Sequence, residues 1–131
     1  MLFKRGSMND GLKILAVDNE PAVTLSMRYI FDGPRYQLTT VGDGQTALAR
    51  LAAAGPDAYD VIIVDQKMPA MSGTELVSEI RQRGIGGGII VVSAHLSSTI
   101  CQAYEHLGVQ VMLTKPFDVD ILRSAVEQVA A

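Results

Sequence analysis

The chain predicts a doubly wound α/β domain, with five parallel strands in the order 2-1-3-4-5 and helices on both faces of the sheet. Three observations carry this expectation. Short runs rich in Val and Ile recur along the chain, stretches of helical spacing fill the gaps between them, and the conspicuous polar residues stand just after the apolar runs. Strands of a parallel sheet are covered on both faces and therefore read as nearly unbroken apolar segments, joined by right-handed helical crossovers.

The expected strands are residues 13–17, 37–41, 61–64, 89–92 and 109–113. The first, third and fourth are almost wholly apolar, which suits the interior of a sheet. The second and fifth carry Gln37, Thr39, Thr40 and Gln110 and belong at the edges, where one side meets water. With those two outside, the order 2-1-3-4-5 follows.

Helical spacing accounts for the intervening segments. Val23, Met27 and Ile30 mark the first helix, opened by Pro21 in its first turn. Ala47, Leu48, Leu51 and Ala52 mark the second, stopped by Gly55-Pro56. Ser72-Gly73-Thr74-Glu75 is a capping-box pattern that opens the third, which ends at Gly84. Ile100, Ala103, Tyr104 and Leu107 share one face of the fourth helix, and Leu122, Ala125, Val126 and Val129 one face of the fifth, with Asp118 as N-cap. The run Gly84-Ile85-Gly86-Gly87-Gly88 precedes a strand, whereas a dinucleotide-binding loop follows one; it reads as a flexible connection.

Length and composition bound the function. A chain of 131 residues is one domain, expected over 12–131, with 1–11 as a flexible N-terminal extension. Hydrophobic residues at 48% with 19% charged residues exclude a disordered tail. A net charge of −3 without a basic run argues against direct nucleic-acid binding. No apolar run approaches the ~18–20 residues that span a bilayer, and the N-terminus lacks the apolar core of a signal peptide, so a cytoplasmic protein is expected. Cys101 is the only cysteine, which excludes an internal disulfide and a Cys-based zinc site.

In a sheet of this kind the ligand site lies beyond the carboxyl ends of the strands. The first strand ends in Asp18-Asn19-Glu20, the third in Asp65, the fourth in Ser93, and the fifth runs through Thr114 into Lys115-Pro116. Oxygen donors without Cys or a pair of His ligands suit a hard cation, most simply Mg²⁺. A carboxylate beside such a cation and a lysine is a workable phosphoryl acceptor. The competing reading is that Asp18 and Asp65 cap helices while Lys115 pairs with one of them. It competes well for any single residue and poorly for a whole set at successive strand ends.

The segments Val17-Asp18-Asn19-Glu20-Pro21, Val64-Asp65-Gln66-Lys67-Met68-Pro69-Ala70-Met71-Ser72-Gly73, Val92-Ser93-Ala94 and Thr114-Lys115-Pro116-Phe117 resemble the response-regulator receiver domains of bacterial two-component signalling. Gly42-Asp43-Gly44 with Ala47-Leu48 resembles that family's opening of the second helix, and the likeness runs over residues 13–129. It implies a flavodoxin-like fold with Asp65 as phosphoacceptor, served by a histidine kinase or histidine phosphotransfer protein. Asp18, Asn19, Asp65 and the backbone carbonyl of Lys67 would hold Mg²⁺. Lys115 and the Ser93 hydroxyl would contact the phosphoryl oxygens, and the Lys115-Pro116 bond would be cis. A protein target would be contacted through the helix 4–strand 5–helix 5 face. Beyond self-phosphorylation and autodephosphorylation no enzyme activity is implied.

The sequence departs from that family at informative places. Asn19 stands where a second acid is usual, so weaker metal binding is expected; Glu20 replacing it would require a shifted loop. Met112 stands where many receivers carry Tyr or Phe, so an aromatic-gated switch cannot operate in the usual way. Lys67 and His95 lie two residues beyond Asp65 and Ser93 and would modulate access of water to an acyl phosphate, with Lys67 simply solvated as the plainer alternative. His106 reads as a partner of its helix C-terminus. Cys101 reads as a small helix-face residue, and Met27, Met68, Met71 and Met112 as packing.

Three functions compete. The first is a phosphorylatable receiver without an output domain in this chain, since only Ala130-Ala131 follow the fifth helix; it would act through partners or belong to a larger regulator. The second is a pseudo-receiver that binds partners largely independently of phosphorylation, which Asn19 and Met112 favour. The third is an enzyme. An aspartate-nucleophile phosphatase places a second Asp where Lys67 stands, and a flavin carrier needs a hydroxyl-rich loop where Asp18-Asn19-Glu20 would repel phosphate.

Overall fold

Strands and helices alternate strictly along the chain in the computed structural model, which describes residues 11–131. The order is β1 (Leu12–Val17), α1 (Pro21–Ile30), β2 (Tyr36–Val41), α2 (Gly44–Ala54), β3 (Val61–Val64), α3 (Gly73–Gln82), β4 (Gly88–Ser93), α4 (Ser98–His106), β5 (Val111–Thr114) and α5 (Val119–Ala130). The five strands form one parallel sheet in the order β2-β1-β3-β4-β5, as the polarity of the runs predicts. Apart from Gly11, the expected extension over 1–11 lies outside the described residues.

The sheet divides the core in two, because successive side chains of a strand point to opposite faces. Leu15, Val17, Ile62, Val64, Ile89 and Val91 meet α2, α3 and α4 on one face, against Leu51, Leu76, Ile80 and Tyr104. Ile14, Ala16, Val61, Ile63, Ile90 and Val92 meet α1 and α5 on the other, against Met27, Ile30, Leu122 and Val126. Each large aliphatic side chain so buried contributes about 1.5–3 kcal/mol relative to exposure. This two-sided burial explains why β3 is apolar at every position, while β2 and β5 remain only half-buried at the edges.

Side-chain caps set where the helices begin. Asp43, Ser97 and Asp118 accept backbone N–H groups at the starts of α2, α4 and α5. Ser72 and Glu75 form the reciprocal capping box that the spacing predicts.

Several sequence expectations are corrected. The residue Val109 does not open β5. It ends α4 instead, where its N–H reaches the carbonyl of Tyr104 (3.0 Å) and the Gly108 N–H that of Glu105 (3.0 Å), with Gly108 at φ +79°. Leu107 accordingly lies just past the helix. Ala52 faces solvent, outside the apolar stripe of α2. The glycine run before β4 is tightly held: Gly86 donates to Pro56 (2.9 Å), Gly88 donates to Asp60 (2.9 Å), and a Cβ on Gly88 would meet Val129 Cβ at 2.8 Å. Close packing against α5, and not freedom of movement, is what glycine serves at that position.

Candidate functional site

Three backbone hydrogen bonds bring the strand ends to one rim: Asp18 N–H to Val41 (3.1 Å), Asp65 N–H to Val17 (3.0 Å) and Lys115 N–H to Ser93 (3.0 Å). Each residue is the first beyond its strand, so its side chain projects at the edge of the sheet where strand pairing stops. Asp18 (3% exposed), Asp65 (4%) and Ser93 (0%) are the buried polar side chains among the described residues. Burying the two carboxylates is costly unless each finds a paired cation or hydrogen-bond donors.

Lys115 supplies that cation. Its Nζ lies 2.9 Å from Asp18 Oδ2, 3.4 Å from Asp65 Oδ1 and 2.6 Å from Glu20 Oε1. The Lys115-Pro116 bond is cis. Burial would lower the lysine pKa, but hydrogen bonds to Glu20 and Asp18 and the two aspartate charges win, and hold it above its usual value. Burial pushes the Asp18 carboxyl up, and the bonds from Lys115 and the Glu20 N–H (2.8 Å) only partly oppose this. The exposed Glu20 carboxyl is held below its ordinary range by its hydrogen bond to Lys115.

The carboxylate oxygens of Asp18, Glu20 and Asp65 lie within 4.8 Å of one another. Glu20, the neighbour of Asn19, thus places its carboxylate in the same cluster as Asp18 and Asp65. Its place at the N-cap of α1 explains how: the residue before Pro21 is extended, and its side chain makes no capping bond. An extended residue before a proline at a strand-to-helix junction was the available signal.

A groove of about 560 Å³ opens above these carboxylates, lined by Asn19, Glu20, Asp65, Lys67, His95 and Lys115 together with Met68, Pro69 and Ala94. Asn19, Lys67 and His95 thus share one wall system with the acids. Ser93 lies buried beside it, its Oγ accepting the His95 N–H at 3.2 Å. Ala70, in the loop after Asp65, takes φ +69°, a conformation that costs a non-glycine residue energy. Met112 is not at the groove: it pairs with Val91 in the sheet and packs against the core beneath α4. Met27, Met68 and Met71 also serve packing.

The donor set is made of oxygen atoms and is strongly anionic, which fits a hard divalent cation. Chemically, the arrangement offers a carboxylate at the floor of an open groove, an ammonium beside it and a buried hydroxyl at its edge. No helix among the described residues is long and apolar enough to cross a membrane.

Comparison with known proteins agrees with this geometry. The family model of the response regulator receiver domain matches residues 14–127. The chain is 28% identical over 116 residues to sporulation initiation phosphotransferase F of Bacillus subtilis, covering 88% of this chain and 91% of that protein. It is 30% identical to the transcriptional regulatory protein TcrA of Mycobacterium tuberculosis over 86% of this chain, but spans only 43% of that relative. In three dimensions it superposes on the Vibrio cholerae chemotaxis protein CheY4 with a TM-score of 0.82 and 29% identity, covering 91% of this chain and 98% of that one.

Proposed function

Because this chain belongs to the response regulator receiver domain family, we propose that it is a phosphorylatable signalling switch whose phosphoacceptor is Asp65. The observation that carries the reading is the contact of one ammonium, on Lys115, with both buried carboxylates, Asp18 and Asp65. In the proposed reaction a carboxylate oxygen of Asp65 attacks the phosphorus of a phosphohistidine. A P–O bond forms as the P–N bond breaks, and the imidazole nitrogen leaves with the electron pair. Lys115 pairs with the oxygens of the transferred group, and the Ser93 hydroxyl donates to one of them.

Asp18, Asp65, Asn19 and the Lys67 backbone carbonyl would hold Mg²⁺, and the Glu20 carboxylate stands close enough to restore the charge that Asn19 lacks. When bound, Mg²⁺ supplies neutralisation of phosphoryl charge. Lys67 and His95, exposed on the groove wall, would tune the approach of water to the acyl phosphate. The partners proposed are a cytoplasmic histidine kinase or histidine phosphotransfer protein, and a downstream protein bound at the α4–β5–α5 face.

A second reading is favoured by the grip of Glu20 on Lys115, which occupies the ammonium a phosphoryl group would need. In that reading the chain is a pseudo-receiver whose contacts do not depend on phosphorylation. Intact mass after incubation with Mg²⁺ and acetyl phosphate separates the two. One phosphoryl adduct on the wild type, absent without Mg²⁺ and absent in Asp65→Asn, supports the switch. A folded protein that takes no adduct, even from a more reactive phosphodonor, leaves the pseudo-receiver.

A further inference from the structure

Tyr104 is a buried titratable group that the phosphoryl chemistry leaves unused. It stands on α4, is 0% exposed, and is the largest of the fully buried side chains. Its hydroxyl donates to Oε1 of Gln66, the residue directly after Asp65. That same oxygen accepts the Thr74 N–H of α3 at 3.1 Å, while the Gln66 backbone carbonyl accepts the Gly73 N–H at 2.9 Å. Gly73 makes the arrangement possible, since a Cβ there would collide with the Tyr104 hydroxyl and the Asp65 carbonyl oxygen. One amide side chain therefore links the segment bearing Asp65 to α3 and to α4.

The charge of Asp65 is felt at the far end of this link. The Tyr104 phenol is pushed well above its usual range, first by burial and then by the negative charge of Asp65. At the site of the usual aromatic gate, Met112 has neither ring nor hydroxyl, and packs against the same core cluster that contains Tyr104. Sequence spacing marks Tyr104 only as a core residue, and nothing in that spacing points its hydroxyl at Gln66.

We propose that the Tyr104–Gln66 hydrogen bond couples phosphoryl loading of Asp65 to the position of α4. The proposal rests on the reading of Asp65 as phosphoacceptor. Loading a phosphoryl group onto Asp65 would add charge and bulk directly beside Gln66, whose side chain and carbonyl hold α4 and α3. A buried hydroxyl cannot be left without an acceptor at low cost, so Tyr104 follows Gln66 or exchanges it for another acceptor. Either response moves the principal buried anchor of α4, and the helix with it. Tyr104 is on this account a positioning residue and touches no reacting atom.

The test uses the whole chain loaded with Mg²⁺ and beryllium trifluoride, an acyl phosphate mimic, with occupancy read by ¹⁹F NMR and helix response by amide hydrogen exchange. In the wild type, loading is expected to change exchange within residues 98–106 about threefold or more. In Tyr104→Phe, and independently in Gln66→Met, loading persists while that change falls to less than about half. Gln66→Met keeps the buried ring in place, so the proposal remains testable should Tyr104→Phe not fold. A folded, loaded variant with an undiminished α4 response overturns the coupling, as does a loaded wild type whose α4 does not respond. A wild type that cannot be loaded overturns the phosphoacceptor reading itself, and the coupling with it.

Discussion

The ammonium of Lys115 sits 2.6 Å from the Glu20 carboxylate, joining the turn after β5 to the residue that opens α1 across 95 positions of sequence. The same nitrogen binds Asp18 at 2.9 Å, so the pair closes one side of the groove above Asp65. An ion pair at the mouth of an anionic site is both an ally and a competitor. It compensates the neighbouring carboxylates, and a bound cation would compete with Lys115 for them.

This relationship predicts how the cation site responds to charge. Asn19→Asp is expected to tighten Mg²⁺ binding roughly fivefold or more, since one added charge at contact range is felt strongly even in a water-like dielectric. Glu20→Gln should weaken it by a similar factor. Calorimetric titration with Mg²⁺ checks both, and an unchanged affinity in Glu20→Gln would remove that carboxylate from the site.

A second carboxylate controls stability toward acid. Glu127 of α5 accepts Arg35 and the Tyr36 hydroxyl (2.8 Å), and the Arg35 bond holds its carboxyl below the ordinary 4.5. A depressed folded pKa means that the stabilisation is complete above the unfolded value and is lost as pH falls through the folded one. Thermal melting of Glu127→Gln should therefore lie below wild type near neutral pH, and the gap should close as pH falls through the depressed folded value of Glu127. A gap that persists in acid would assign the loss to packing.

Overpacking is the expected fate of Gly88→Ala. The added methyl would stand 2.8–2.9 Å from Val129 side-chain and backbone atoms, and such crowding costs about 1–3 kcal/mol. Urea unfolding measures this directly, and a neutral substitution would show that α5 can retreat from β4.

Ala70→Gly is expected to act in the opposite direction. At φ +69° an alanine is held in a conformation that costs about 1–2 kcal/mol, part of which glycine regains after its own entropic penalty. A gain of up to about 1 kcal/mol in urea unfolding is expected, and a clear loss would mean that the Ala70 methyl makes a needed contact.

Much of this protein was legible because its signals are local or periodic. Alternation of apolar runs with helical spacing specifies strand and helix, and the mixed composition of β2 specifies a sheet edge, because two-sided burial leaves no room for polar residues elsewhere; Gln110, which marked the fifth run as an edge, lies just before β5. Ser72 with Glu75 and Asp118 announce helix starts through bonds that span three residues or fewer. Asp18, Asp65, Ser93 and Lys115 were visible as a group because each directly ends, or directly follows, an apolar run. What the tertiary structure alone decided are contacts whose partners share no local register. Glu20 reaches Lys115, Tyr104 reaches Gln66 across 38 positions, and Gly88 gives way to Val129. Val109, apolar enough to read as strand, is drawn instead into the cap of α4 by Gly108. Periodicity tells a residue which face it occupies; which side chain meets it there depends on how far each helix slides along the sheet, and that is settled only when the whole core closes.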